Sequence, residues 1–241
     1  MVEKRIIMPD TLDKDSHELS EETTDWENDD LLPVIVSNKV LNVSENSHIS
    51  HQHINSFNFL KLSASFDLTK TTLGITSVNS GDGKTKTAAN MATSLALGYQ
   101  RKTLLIDFNF LNPSLHEVFE TSQHPGLADT LEKKSIRISP TAVENLYLMT
   151  AGNCSEIKTG IKHTLVLRQV LKSLKEAFEF IVVDLPAILP LKEFPIHFIN
   201  EIDGLINVID VKKTKKTDYN KAIKYIDENR FIGYVFNNVD E

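Results

Sequence analysis

Lys84 and Thr85 stand at the end of the run Gly74-Ile75-Thr76-Ser77-Val78-Asn79-Ser80-Gly81-Asp82-Gly83-Lys84-Thr85. That order of residue types suits the holding of a phosphate chain. Backbone N–H groups of a glycine loop converge on an anion, and the start of the following helix adds partial positive charge. Ser80, Gly81, Asp82, Gly83, Lys84, Thr85 and Lys86 form the expected cofactor-binding loop. Lys84 would reach the β- and γ-phosphates and the Thr85 hydroxyl would bind Mg²⁺. The expected cofactors are ATP or ADP with Mg²⁺. The pattern G-x-x-x-x-G-K-[ST] has Val78 at its first position here, so what survives is the half that touches the γ-phosphate and metal, Gly83, Lys84 and Thr85. Two carboxylates complete the set. Leu104-Leu105-Ile106-Asp107 and Ile181-Val182-Val183-Asp184 each end an apolar run in an acid. A strand end fixes such a side chain rigidly, where it can orient a metal or accept a proton. The expected catalytic residues are Lys84, Asp107 and Asp184, and the expected metal contacts are Thr85, Asp107 and Asp184.

These side chains need elements to hold them. Leu73–Val78 is β-prone and precedes the loop, while Ala88, Met91, Ala92, Leu95 and Ala96 recur at helical spacing behind it. Gly98 supplies a stop. Lys102–Asp107, Asn145–Thr150, Phe180–Asp184, Leu205–Ile209 and Phe231–Phe236 read as further strands. Leu167, Val170, Leu171, Leu174 and Phe178 form an amphipathic helical stripe, and Tyr219, Ala222, Ile223 and Ile226 a second. Apolar strands alternating with helices predict an α/β fold. Its sheet should be mostly parallel and doubly wound, with helices on both faces. Ligands of such sheets sit outside the carboxyl ends of the strands, which brings the loop, Asp107 and Asp184 to one side. The tract Lys212-Lys213-Thr214-Lys215-Lys216 follows one of these ends and reads as a solvated loop within reach of the nucleotide.

The 241 residues carry a net charge of −7. Asp10–Asp30 alone holds ten acidic residues against Lys14, so the remainder is nearly neutral. Residues 1–53 therefore read as an acidic, disordered N-terminal arm and linker, and 54–241 as the nucleotide-binding domain. Trp26 and Leu31-Leu32 are the arm's candidate docking residues. His48, His51 and His53 read as a polar linker rather than a metal site. No basic patch with interleaved aromatics occurs, which argues against nucleic acid. No run approaches the ~18 apolar residues of a membrane span, and no apolar leader follows the charged start. With one cysteine, Cys154, a cytoplasmic location is expected.

The motifs together resemble the cytoplasmic kinase domain of bacterial tyrosine kinases that control capsule and exopolysaccharide assembly. Ser80–Thr85 with Ala88-Ala89-Asn90-Met91-Ala92 comes first. Then follow Leu104–Asp107, Asn112-Pro113-Ser114-Leu115-His116-Glu117-Val118-Phe119 and Gly126-Leu127. Asn145–Gly152, Asp184-Leu185-Pro186 and Asp203-Gly204 keep the family's order. The resemblance runs from about Ile54 to Asn238. It implies a P-loop NTPase fold of the MinD/ParA-like superfamily. The implied partner is an inner-membrane polysaccharide co-polymerase or chain-length regulator that recruits the chain to the membrane's inner face without insertion. Self-association is implied as well.

The chain departs from that family in four places, one of them the absence of the usual prolines after Ala151-Gly152. The usual D-x-D-x-R segment is Asp107-Phe108-Asn109-Phe110-Leu111, so an acid and an arginine are missing. The family's E-x-x-R-x-x-R helix reads Asn55-Ser56-Phe57-Asn58-Phe59-Leu60-Lys61, and no tyrosine cluster closes the sequence. These losses point to a degenerate member, a nucleotide-binding regulatory protein with weakened or lost kinase activity. Two alternatives stay open: an active ATP-dependent protein-tyrosine kinase, and a MinD/ParA-type positioning ATPase. Asn79 stands where the latter class carries a lysine.

Overall fold

The computed structural model describes residues 34–36, 71–133, 135–154 and 161–239. The histidines at 48, 51 and 53, the 55–61 segment, and Trp26 with Leu31-Leu32 lie outside them. In chain order the elements are β1 (Val34–Val36), β2 (Thr71–Ser77), α1 (Lys84–Gly98), β3 (Thr103–Asp107), α2 (Leu115–Val118) and α3 (Leu127–Lys133). Then come β4 (Ile136–Pro140), β5 (Leu146–Met149), α4 (Ile161–Ala177), β6 (Phe180–Asp184), β7 (Gly204–Asp210), α5 (Lys216–Ala222) and β8 (Phe231–Asn237). The strands form an eight-stranded sheet in the order β1-β4-β5-β3-β6-β2-β7-β8. Every pairing is parallel except β4 with β5.

The apolar strands are continuous because both faces are covered. Along β3, Leu104 and Ile106 face one cluster with α4, while Leu105 faces the opposite cluster with α1. In β6, Ile181 and Val183 divide from Phe180 and Val182 in the same way. This is the two-residue strand period read on a buried sheet. The stripes expected of the helices are the buried ones: Ala88, Met91, Ala92, Leu95 and Ala96 on α1, and Leu167, Val170, Leu171 and Leu174 on α4.

The observed bounds adjust several expectations. The strand expected at Asn145–Thr150 spans Leu146–Met149. The last helical stripe is shorter than its spacing implies. α5 stops at Ala222 and the chain tightens into a 3₁₀ turn over Ile223–Tyr225. Val34–Val36 falls in the segment assigned to the arm, yet it pairs with Ile136–Ile138 as an outer strand. Its β-branched triplet suits a strand. Among the described residues, no helix is long and apolar enough to cross a membrane.

Candidate functional site

The strand order puts β2 between β6 and β7, with β3 beside β6. Asp107 and Asp184 are direct neighbours in the parallel register of β3 and β6. The loop leaving β2 turns above them. Gly81 and Gly83 hold φ of 87° and 100°, left-handed values that glycine adopts without a side-chain penalty. Helix α1 then starts at Lys84 with no side-chain cap and no acidic residue in its first turn. Its N-terminal donors are left for an anion.

A cleft of about 630 Å³ opens over this helix end. Ser80, Gly81, Gly83, Lys84, Thr85 and Lys86 line one wall, and Asn109, Asn112, Pro113, Ser114, His116, Glu117 and Gln123 line the other. Lys84 is only 7% exposed and its charge acts on both carboxylates below. Asp82 differs from its neighbours in the loop. It is buried, and its carboxylate accepts the Asn79 N–H at 3.0 Å and the Thr214 hydroxyl at 3.1 Å. Burial pushes its pKa up, with those two donors opposing.

The two strand-end acids have different surroundings. Asp184 accepts the Thr85 hydroxyl on Oδ2 at 2.7 Å, while its Oδ1 is buried with no hydrogen-bond partner among the described residues. Burial raises its pKa, Lys84 lowers it, the nearby Asp107 raises it and Thr85 lowers it. Asp107 accepts three backbone donors, from Asn109 on Oδ1 and from Ser114 and Leu115 on Oδ2, each at 3.1 Å. Burial again raises its pKa; these N–H groups and Lys84 oppose. A carboxylate has about four acceptor sites, so three of those on Asp107 are occupied in shaping the turn that follows it.

That turn is pinned from behind. Phe108 stacks on Phe198 with centroids 4.3 Å apart and planes 4° from parallel, and Phe110 packs on Phe108 at 4.8 Å. Asn109 lies between these aromatics in sequence and lines the cleft. Its amide donates to the Asn112 carbonyl at 2.7 Å, so the side chain is tied into its own loop. Leu111, where the resemblance places an arginine, is 55% exposed.

The donor set fits Mg²⁺ bound together with phosphates. Thr85 Oγ1 and the orphan Asp184 Oδ1 are hard oxygen donors side by side. Among the described residues, no group of three or more His, Cys, Asp or Glu side chains could cage a metal without help. Mg²⁺ commonly takes one or two carboxylates and completes its shell with phosphate and water.

Residues remote in sequence also meet here. Asn237, at the end of β8, donates from Nδ2 to the Asp82 carbonyl at 3.0 Å. Thr214, in the middle of the lysine tract, reaches the Asp82 carboxylate. Lys213 and Lys215 flank it in the open, as a solvated loop should, while Lys216 already begins α5. Neither Asn237 nor Thr214 carries a motif. The one local cue is that Asn237 closes one strand and Thr214 follows the carboxyl end of another.

Residues 73–241 match the CobQ/CobB/MinD/ParA nucleotide binding domain. The tyrosine-protein kinase CpsD of Streptococcus pneumoniae is 31% identical over 175 residues, 70% of this chain and 76% of that protein. ExoP of Rhizobium meliloti, a succinoglycan biosynthesis transport protein, is 28% identical over 148 residues, 59% of this chain but 19% of that protein. The crystal structure of the chimerical protein CapA2B2 superposes with a TM-score of 0.66 at 21% identity. It covers 87% of this chain and 96% of that one.

Proposed function

The chain belongs to the CobQ/CobB/MinD/ParA nucleotide binding domain family, and with bacterial tyrosine kinases among its relatives we propose that it is a nucleotide-binding regulatory protein with weakened phosphoryl transfer. The observation that carries this reading is the uncapped start of α1 behind Gly81 and Gly83, facing a polar cleft with Thr85 and Asp184 at its base. We infer that ATP or ADP occupies this cleft. The α1 N–H groups and Lys84 would hold the phosphates. Thr85 and Asp184 would hold Mg²⁺, which when bound neutralises charge on the phosphate oxygens. Asp107 would fix the opposite wall through its three backbone acceptor bonds.

Weakened transfer rests on that opposite wall. Moving a γ-phosphoryl group to a tyrosine hydroxyl requires an acceptor for the hydroxyl proton and positive charge beside the transferring group. Asn109 brings neither a charge nor a base, and its amide is already engaged with Asn112. Leu111 offers no charge. The active-kinase alternative keeps one favourable observation. Lys84, Thr85, Asp107 and Asp184 are assembled as such chemistry needs, and Asp107 retains an unused acceptor site. The positioning-ATPase reading finds less support, because Asn79 carries no ammonium group.

The likeness to CpsD and to a segment of ExoP supports a role in capsule or exopolysaccharide polymerisation and export. In this reading the chain works in the cytoplasm. A membrane-resident co-polymerase or chain-length regulator recruits it, and self-association is part of the assembly.

The test compares wild type with Lys84→Ala for nucleotide binding and phosphotyrosine formation. Nucleotide affinity should fall about 10- to 100-fold in the variant, the scale of lost charge-assisted hydrogen bonds. Binding without phosphotyrosine supports the regulatory reading. Phosphotyrosine in wild type that vanishes in Lys84→Ala would establish the kinase instead.

A further inference from the structure

The α4 side of the sheet carries a groove that nucleotide binding leaves unused. It holds about 970 Å³ between the first half of α4 and the 191–201 segment. Most of its lining is apolar, with Phe108, Phe110, Leu131, Leu165, Phe194 and Ile196 among the contributors. Leu165 is 50% exposed, and an open apolar surface of this kind marks a docking place. The rim is charged. Arg168 and Lys192 are two fixed cations there, with His197 beside them, against the single carboxylate of Glu201. Arg168 donates from Nε and Nη2 to Glu201 Oε1 at 2.9 and 2.6 Å.

The segment upstream of β1 has the matching chemistry. Asp25-Trp26-Glu27-Asn28-Asp29-Asp30-Leu31-Leu32 sets the chain's one tryptophan and two leucines among four acids. β1 fixes where this segment enters the fold. β1 is parallel to β4, and β4 is antiparallel to β5, so both run against the rest of the sheet. The amino end of β1, Val34 beside Ile136, therefore stands at the edge where the other strands end. The groove lies toward that edge. Phe108 and Phe110 follow the end of β3 there, and α4 starts there because it leads back to the beginning of β6 at the opposite edge. Ile136, Leu131, Phe108, Phe194 and Phe198 belong to one buried cluster, so the partner of β1 and the groove share one face of the sheet. Three strand spacings separate β1 from β3, about 14 Å. The eight steps from Trp26 to Val34 span up to about 26 Å.

We propose that the acidic arm of this chain fills the groove: Trp26 seats among Phe108, Phe110, Leu165 and Ile196, and the acids around it face Arg168 and Lys192. An indole buries about 150–250 Å², and the short tether to β1 gives it a high effective concentration at the groove. The contact does not depend on nucleotide being bound. It bears on the nucleotide cleft through one turn, because Phe108 and Phe110 line the groove while Asn109 between them lines the cleft. The arm braces that turn from its apolar side.

The single tryptophan lets fluorescence of the full chain test this directly. Acrylamide should quench Trp26 several-fold less in the native chain than in the same chain unfolded in urea, and native emission should lie at shorter wavelength. Leu165→Glu sets a carboxylate in the groove at an exposed position. It should bring quenching to the unfolded level with the melting temperature unchanged. Ile196→Gln is the second groove variant, read in place of Leu165→Glu where that change lowers the melting temperature. Replacing Asp29 and Asp30 by Asn should raise quenching part of the way, as should high salt in the wild type. Native quenching equal to that of the unfolded chain overturns the proposal and leaves the groove to a different occupant. Protection that persists in both groove variants also overturns it, because Trp26 is then buried elsewhere. Protection that disappears on dilution assigns the groove to the arm of a second copy and overturns docking within one chain.

Discussion

The two walls of the cleft use their polar groups in opposite ways. On the α1 side the internal hydrogen bonds lie behind the loop, at Asp82, and the helix start facing the cleft carries no side-chain cap, with the buried Lys84 and Asp184 beneath it. On the β3 side two polar side chains are tied into their own turn. Asp107 is occupied by three N–H donors and Asn109 by the Asn112 carbonyl. Binding a triphosphate requires donors, which the first wall supplies. Transferring a phosphoryl group also requires an acceptor for the hydroxyl proton, and on the second wall Asp107 and Asn109 are engaged in holding its shape.

The largest effect expected is at Asp107. Asp107→Ala leaves three N–H groups without their acceptor and should cost about 3–5 kcal/mol in chemical denaturation, since orphaning a buried donor costs about 1–3 kcal/mol. An unchanged denaturation midpoint would break the contrast, because Asp107 would then not be organising its wall. Next comes Asp184→Asn, which should cut the gain in ADP affinity from Mg²⁺ by about ten-fold, or about 1.4 kcal/mol. The same variant bears on pH. Both acids have folded-state pKa values raised mainly by burial. The folded state thus binds more protons than the unfolded one, and stability falls as pH rises from the ordinary carboxylate range toward neutrality. Asp184→Asn should flatten that fall without nucleotide; an unaltered slope would mean that burial there is not perturbing the acid.

Asn109→Asp sharpens the contrast from the other side. It removes the donor to Asn112 and sets a second carboxylate near Asp107, a stability cost of about 1 kcal/mol. It also restores an acid to the acceptor-poor wall, and phosphotyrosine formation should rise by about 3- to 10-fold, the lower range for a single placed acid or base. Turnover that stays level or falls would show that the missing charge is not what limits transfer. Lys86→Ala is the smallest change. Lys86 lines the cleft but is exposed, and its loss should weaken ADP by no more than about 3-fold, with the difference fading at high salt.

Local and periodic signals made much of this legible before the structure. The residue order from Leu73 through Leu95 carries its own strand, loop and helix. Asp107 and Asp184 stood out because each ends an apolar run, and a parallel sheet set those ends side by side. The stripe on α4 was visible because burial on one helix face imposes its period. Other features left no such trace. Strand β4 runs antiparallel beside β5 with a broken apolar pattern, and β1 is three residues in a stretch without period. The hold on Asp82 comes from single hydrogen bonds across 132 and 155 residues. No window along the chain contains both partners, so spacing has nothing to register. The lysine tract shows the limit well: its charges read correctly as solvated, and the threonine among them was the residue that mattered to the loop.

The Asn237 bond also has a consequence in time. A chain is made from its amino end, and Gly81 to Thr85 emerge long before β8. Pairings this distant in sequence form late because their loops are costly to close. The phosphate loop therefore reaches its final shape only once the last strand has joined the sheet. Nucleotide affinity then reports that β8 has joined the sheet, and chains halted before Asn237 should hold the loop's sequence without its grip.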